Sequence, residues 1–178
     1  MSLIKTKIRF FTIADYLEEE QWLRAEHKNG WKLIKMIPPC FYKFEKCQPE
    51  DVIYKLDFKN NQEKADYLQL TSDFGWEYIG KCTGWLYFRK PASSINFENE
   101  GEIFSDNQSK INMVYNIIKT RMLPIILIFF ICVLPNFIIN ISEENTLSTR
   151  FWAVMNAVYI VLITYTAVKF NKIKQKLK

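Results

Sequence analysis

Glu18, Glu19 and Glu20, with Asp15 just ahead of them and the chain's one histidine, His27, just after, form the densest cluster of titratable residues in this sequence. Paired carboxylates act as general acid and base when they face one pocket. Consecutive helix residues point in different directions, so a run of three does not make such a pair. It suits a helix start instead: acidic groups in the first turn complement the dipole, and Asp15 followed by Glu18 has capping-box spacing. The expectation is a cap and a solvated acidic face, with His27 a surface group near the helix end. An enzyme reading requires Glu20, Asp57 and Glu77 to converge in one pocket. The sequence has no Gly-rich phosphate loop, nucleophile elbow or metal-ligand cluster. No catalytic residue, metal or cofactor is therefore assigned, and the chain is expected not to be an enzyme.

Aromatic residues offer a different chemistry. Trp22, Trp31, Tyr54, Tyr67, Trp76 and Trp85, with Tyr42 and Tyr87, are many for a stretch of this length. One reading is core, because aromatics supply large buried area to a small two-layer fold. The other is a ligand cleft between two repeated units, where aromatic walls and an acidic residue hold an apolar cation. Core is the weightier of the two.

The elements that must position these residues form a repeat. Trp22-Leu23, six residues, Gly30-Trp31 and then Ile34 are matched by Tyr67-Leu68, six residues, Gly75-Trp76 and then Ile79. An aromatic-rich stretch ending in a basic residue follows each, Phe41 to Lys46 and Trp85 to Lys90. An alternating run precedes each, around Lys7–Phe11 and Tyr54–Lys59. Alternation with period two predicts strands. Asn60 with Glu63 offers a second helix start, and Gly30 and Gly75 fit the left-handed position that closes a helix. Hairpins are expected at Pro38-Pro39 and Thr83-Gly84. The predicted fold is α+β: duplicated strand–helix–strand–strand units forming an antiparallel sheet with two helices on one face, over residues 1–91, then a two-helix transmembrane hairpin.

Residues 92–109, rich in Ser, Asn and Glu, read as a linker, and 110–121 as an amphipathic lead-in helix. Residues 122–141 and 151–170 are each 20 residues long, the length a helix needs to cross a hydrocarbon core of about 30 Å. They hold no acidic residue and only Lys169 at an end, and neither shows a polar face. Pro124 is tolerated near the start of the first span and Pro135 is expected to kink it. Asn136, Asn140 and Asn156 are the polar packing residues of the two spans, with interhelical hydrogen bonds worth about 0.6–2 kcal/mol.

Charge sets the orientation. Residues 1–109 carry 15 Lys and Arg against 17 Asp and Glu, while 110–178 carry 9 against 2. The excess sits at Lys110, Lys119 and Arg121 before the first span and in the tail 171–178, with a sparse loop at 142–150. The positive-inside bias places both termini in the cytoplasm of a two-span plasma-membrane protein. Trp152 and Tyr165 fit interfacial positions. Residues 1–11 hold no apolar run long enough for a signal peptide. A nucleic-acid partner would need the basic excess on the N-terminal part, so none is expected. Cys40, Cys47 and Cys82 then lie in a reducing compartment, and their spacing matches no common zinc site.

Taken in order, Phe10-Phe11, the helix with Glu20, Trp22 and Leu23, Gly30-Trp31, the run 41–46, and Gly75-Trp76 ahead of Tyr87-Phe88-Arg89-Lys90 resemble the bacterial DUF2812 family across residues 5–90. The paired apolar helices also look like that family. The resemblance implies a bacterial, mostly Gram-positive membrane protein in a regulatory or envelope-stress setting, since such proteins tend to accompany PadR-type regulators. It carries over no functional residues. Duplicated drug-sensing modules of the GyrI-like type have a similar element order, an analogy of fold. The expected function is a membrane-tethered, non-enzymatic cytoplasmic binding module whose partners are the lipid bilayer and a membrane or regulatory protein. The alternatives are an accessory subunit of an envelope transporter and a GyrI-like sensor of amphipathic ligands.

Overall fold

The computed structural model describes residues 3–59, 65–95, 102–103, 107–142 and 146–176. The chain divides into two compact units, Met1–Met113 and Val114–Lys178.

In the first unit the elements are β1 (Ile4–Ile8), α1 (Tyr16–Lys28), β2 (Trp31–Ile37), β3 (Phe41–Lys46), β4 (Val52–Phe58), α2 (Ala65–Asp73), β5 (Glu77–Cys82) and β6 (Trp85–Pro91). Strand–helix–strand–strand thus occurs twice, as the repeat requires. All ladders are antiparallel, in the orders β1-β3-β2 and β4-β6-β5. The six strands therefore make two three-stranded sheets. The edge strands β2 and β5 run beside one another without forming a ladder. A bulge at the same repeat position explains the break. Register slips between Leu33 and Lys35 and again between Tyr78 and Gly80, leaving Ile34 and Ile79 outside the pairing. Bulges twist an edge away from a would-be partner.

The helices lie on opposite faces of the second sheet. Trp22 of α1 meets Tyr42 and Phe44 of β3, while Tyr16 stacks on Trp85 and His27 meets Tyr54. So α1 is held between the two sheets. The other face of β6 presents Leu86 and Phe88, which pack with Trp76 against Tyr67 and Leu68 of α2. The physical reason is the character of the strands. β6 is apolar on both faces and must be covered twice, whereas β1 and β3 alternate and leave Ile4, Ile8 and Phe41 outward.

Gly30 and Gly75 close their helices at φ +80° each. The basic residue ending each repeat has a place here. Lys90 donates to the Phe74 carbonyl beyond the end of α2, and Lys46 and Lys90 sit over Trp31 and Trp76. A Cβ on Gly30 would lie 3.0 Å from the Cys47 carbonyl oxygen, while on Gly75 its nearest neighbour is the flexible Lys90 stem at 3.5 Å. Gly30→Ala is expected to cost about 1–2 kcal/mol and Gly75→Ala about 1 kcal/mol, an order that thermal melts of the two variants check. The tight turn at Thr83-Gly84 has positive φ at both residues, and the Pro38-Pro39 turn holds a cis peptide bond. Asp15 stands at the start of α1, but its carboxylate makes no side-chain cap bond there and accepts from the Thr12 amide (2.7 Å) instead. Asn60 and Glu63 lie outside the described residues, as do 96–101 and 104–106 within 92–109. The described part of that stretch is tied down: Ile103 packs on the Trp76–Leu86–Phe88 cluster, and Glu102 meets Lys55 and Lys110.

Gln108–Ser142 form one unbroken helix, so the lead-in runs straight into the first apolar stretch. Its segments are α3 (Asn107–Ile117), α4 (Leu123–Ile128) and α5 (Leu134–Ser142), joined by wider π-type turns over Ile118–Met122 and Phe129–Val133. Each π turn closely precedes a proline, Pro124 or Pro135, and absorbs the missing N–H and the ring clash. The last helix, α6, covers Thr146–Lys176. Both helices are long and apolar enough to cross a membrane. Only a narrow seam of each is covered. Phe129 stacks on Tyr159, Asn156 donates to the Val133 carbonyl (3.5 Å) and Thr149 donates to the Asn140 carbonyl (2.9 Å). Asn136 and Asn140 donate within their own helix, to Cys132 and Asn136 carbonyls, both at 2.7 Å. Leu127, Phe130, Ile131, Val154, Val161 and Leu162 face outward.

Candidate functional site

The buried stripe of α1 holds the polar chemistry of the first unit. Tyr16, Glu19, Glu20, Leu23, Glu26 and His27 are all buried, at the spacing of one helix face. This corrects the solvated-face reading of Glu19 and Glu20 and the surface reading of His27. Each charge has been given partners because an unpaired buried charge is costly.

Glu19 Oε1 accepts the phenols of Tyr42 and Tyr87, both at 2.8 Å. Burial pushes its pKa up, and the two phenols oppose the rise without reversing it. Glu20 accepts the Leu56 amide at 2.9 Å, satisfying an outward N–H on the edge strand β4, and lies 3.4 Å from Lys55. Glu26 pairs with Lys5 and Lys7 of β1. His27 Nδ1 is 2.8 Å from the Tyr54 hydroxyl, which accepts the Leu33 amide at 3.3 Å. With that lone pair occupied, the phenol's proton is free for a neutral imidazole, and burial followed by the Arg89 charge holds the His27 pKa below its usual value.

Burial raises Glu20 to a pKa of about 7, against the pull of Lys55 and the Leu56 amide. A carboxyl whose folded pKa lies above its unfolded one favours the protonated folded state. Its contribution to stability is best below the unfolded value, declines as pH rises towards about 7, and is flat above. Glu20→Gln removes that slope. Relative to wild type, the variant is expected to gain up to about 3 kcal/mol between pH ~4.5 and pH ~7, checked by urea unfolding across that range.

The aromatic set is dispersed. Trp22 packs with Phe11, Tyr42 and Phe44, Trp31 lies beneath Lys5 and Lys46, and Trp85 sits between Tyr16 and Phe58. Tyr54 serves His27, Trp76 belongs to the α2 core, and Tyr67 donates to Asp57 at 2.6 Å. Nor do Glu20, Asp57 and Glu77 share a pocket. Glu20 faces Lys55, Asp57 lies beneath α2 with Tyr67 and Lys59, and the exposed Glu77 forms a forked pair with Arg89.

A cleft does exist between the two units of the repeat, where the paired bulges keep β2 and β5 apart. Its volume is about 230 Å³, with Leu33, Ile34, Met36 and Ile79 as walls and Tyr87 as floor. The Tyr87 hydroxyl is held by Glu19. Lys35 and Lys81 stand exposed at its edge, and among the described residues its lining contains no carboxylate. Ile34 and Ile79 were visible in the sequence as repeat markers, but nothing in their type announces a bulge. A second cavity, about 260 Å³, contains His27, Lys32, Glu50, Glu77 and Arg89. There the charges answer one another, Arg89 being engaged by Glu77 and the Leu33 carbonyl (3.2 Å).

Among the described residues, no group of three or more His, Cys, Asp or Glu could hold a metal ion. No curated protein and no solved structure matches the chain. A family model described as "Protein of unknown function (DUF2812)" matches residues 15–128, from the start of α1 into the first apolar helix. That match covers more than half of the chain, taking in the repeat from α1 onward and the first part of the helix behind it, and this protein belongs to the DUF2812 family.

Proposed function

We propose that the chain is a non-enzymatic binding module, held at the plasma membrane by its two apolar helices with both termini in the cytoplasm, and that the cleft between its repeats takes a small, largely apolar ligand. The carrying observation is the cleft itself: two facing edge strands, bulged at the same repeat position, leave a largely apolar space floored by Tyr87. Its volume is below the roughly 300–1,000 Å³ of drug-sized sites, so the ligand is small. The separation of the buried carboxylates into distinct networks supports binding over catalysis. Outward apolar side chains along both helices support lipid as their solvent, since water would leave a large contiguous apolar patch exposed. The setting is a regulatory or envelope-stress response, in which tethering raises the local concentration of the module near membrane partners.

Exchanging the two apolar helices for an unrelated two-span anchor tests this function in cells. A strain lacking the protein, scored by its transcriptional response to envelope stress, is expected to be restored by the exchanged chain and not by an Ile79→Trp cleft-filling variant. Failure of the exchanged chain, with Ile79→Trp active, would make the helices the working part, as in an accessory subunit of a transporter.

A further inference from the structure

The cleft's chemistry allows its ligand class to be named, which rests on the binding reading above. We infer that it takes a small apolar acid, a molecule with a hydrocarbon or aryl body and one anionic head, and not the apolar cation that an acid-lined aromatic cleft would hold. Three observations converge on that class. The first is the lining, in which, among the described residues, Lys35 and Lys81 are the ones carrying a full charge. The second is the state of Glu19, whose Oε1 accepts the Tyr87 phenol. That carboxylate is buried and its Oε1 is shared by two phenols, so it is committed to the interior and not to the cleft. The third is the ladder next to the cleft. Lys35 stands directly opposite Lys43 across the β2–β3 pairing, on a domain whose overall charge is slightly negative. Like charges directly opposite destabilise a sheet, and an anion beside them relieves the repulsion.

The backbone adds to this. An edge strand turns every second N–H outward, and both walls of the cleft are edge strands that do not pair with each other. N–H groups and ammonium groups together favour an anionic head, while Leu33, Ile34, Met36 and Ile79 favour an apolar body.

The full-length chain in phosphatidylcholine nanodiscs, free of anionic lipid, is titrated with hydrocinnamate, the corresponding alcohol and the corresponding protonated amine. Affinities are read by saturation-transfer NMR, with Ile79→Trp and Ile34→Trp as cleft-filled references to subtract lipid partitioning. Hydrocinnamate is expected to bind at least about tenfold more tightly than the amine, and the exposed substitution Lys35→Glu to abolish that preference. Equal or tighter binding of the amine or alcohol would overturn the acid class while leaving a ligand cleft in place. No difference between wild type and either cleft-filled variant, for all three probes, would overturn the cleft reading and this inference together.

Discussion

Glu19→Ala is expected to lower the unfolding free energy by about 3–5 kcal/mol. The carboxylate is the shared acceptor of Tyr42 and Tyr87, so its removal strands two phenols. Both are buried between α1 and the sheets, Tyr42 at 1% and Tyr87 at 3% exposure, where water does not replace the lost acceptor. Hydrogen bonds to a charged group are worth about 1.5–3 kcal/mol each, and two are lost together. Glu19→Gln separates the hydrogen bonds from the charge. Its amide oxygen can still accept both phenols, and the loss of a buried charge offsets part of what the weaker bonds forfeit, so a cost near or below 1 kcal/mol is expected. Urea unfolding of both variants, followed by tryptophan fluorescence, checks the pair. A Glu19→Ala variant as stable as wild type would mean that the phenols find other acceptors and that Glu19 is not the joint between helix and sheets.

Phe88→Ala is expected to cost a similar 3–5 kcal/mol, by a different route. Phe88 is fully buried on the α2 face of β6, with its ring centroid 5.5 Å from that of Tyr78 and 6.2 Å from that of Tyr67. Trp76, Leu86 and Ile103 complete the cluster. Rigid aromatic neighbours collapse poorly into a void, so most of the cavity should persist. Its counterpart in the repeat, Phe44, is equally buried, against Trp22 of α1. Phe44→Ala should therefore cost about the same, also 3–5 kcal/mol. The two variants should differ in hydrogen exchange. Only Phe88→Ala removes packing from beneath Ile103, so only it should speed exchange around residues 102–103.

Much of the fold could be read from residue order because it depends on local rules. Gly30 and Gly75 announced helix ends through a conformation that other residues resist, and the alternation of Tyr54–Lys59 announced a strand, though β4 is buried on both faces and not on one. The membrane-length helices were legible from composition alone. What escaped was tertiary. The Tyr16, Glu19, Glu20, Leu23, Glu26 and His27 stripe has perfect helical spacing, yet four of its six members are Glu or His, so it reads as a wet face. Its burial follows from α1 being held between the two sheets, with β3 on one side and β4 and β6 on the other. The division of the sheet escaped for a related reason. Bulges at Ile34 and Ile79 are set by the backbone of paired strands, and isoleucine suits a regular strand equally well. The cleft inherits that blindness, since its existence depends on two strands failing to pair.

Lipid as the solvent of the two apolar helices is the claim on which the rest depends, and alkaline extraction tests it most directly. Membranes from cells making the full chain are washed with sodium carbonate, which strips peripheral proteins, and then with detergent. The expected result is a chain that stays with the lipid through the carbonate wash and leaves only in detergent. A chain recovered in the carbonate supernatant, or monodisperse in buffer without detergent, would contradict a membrane-spanning pair.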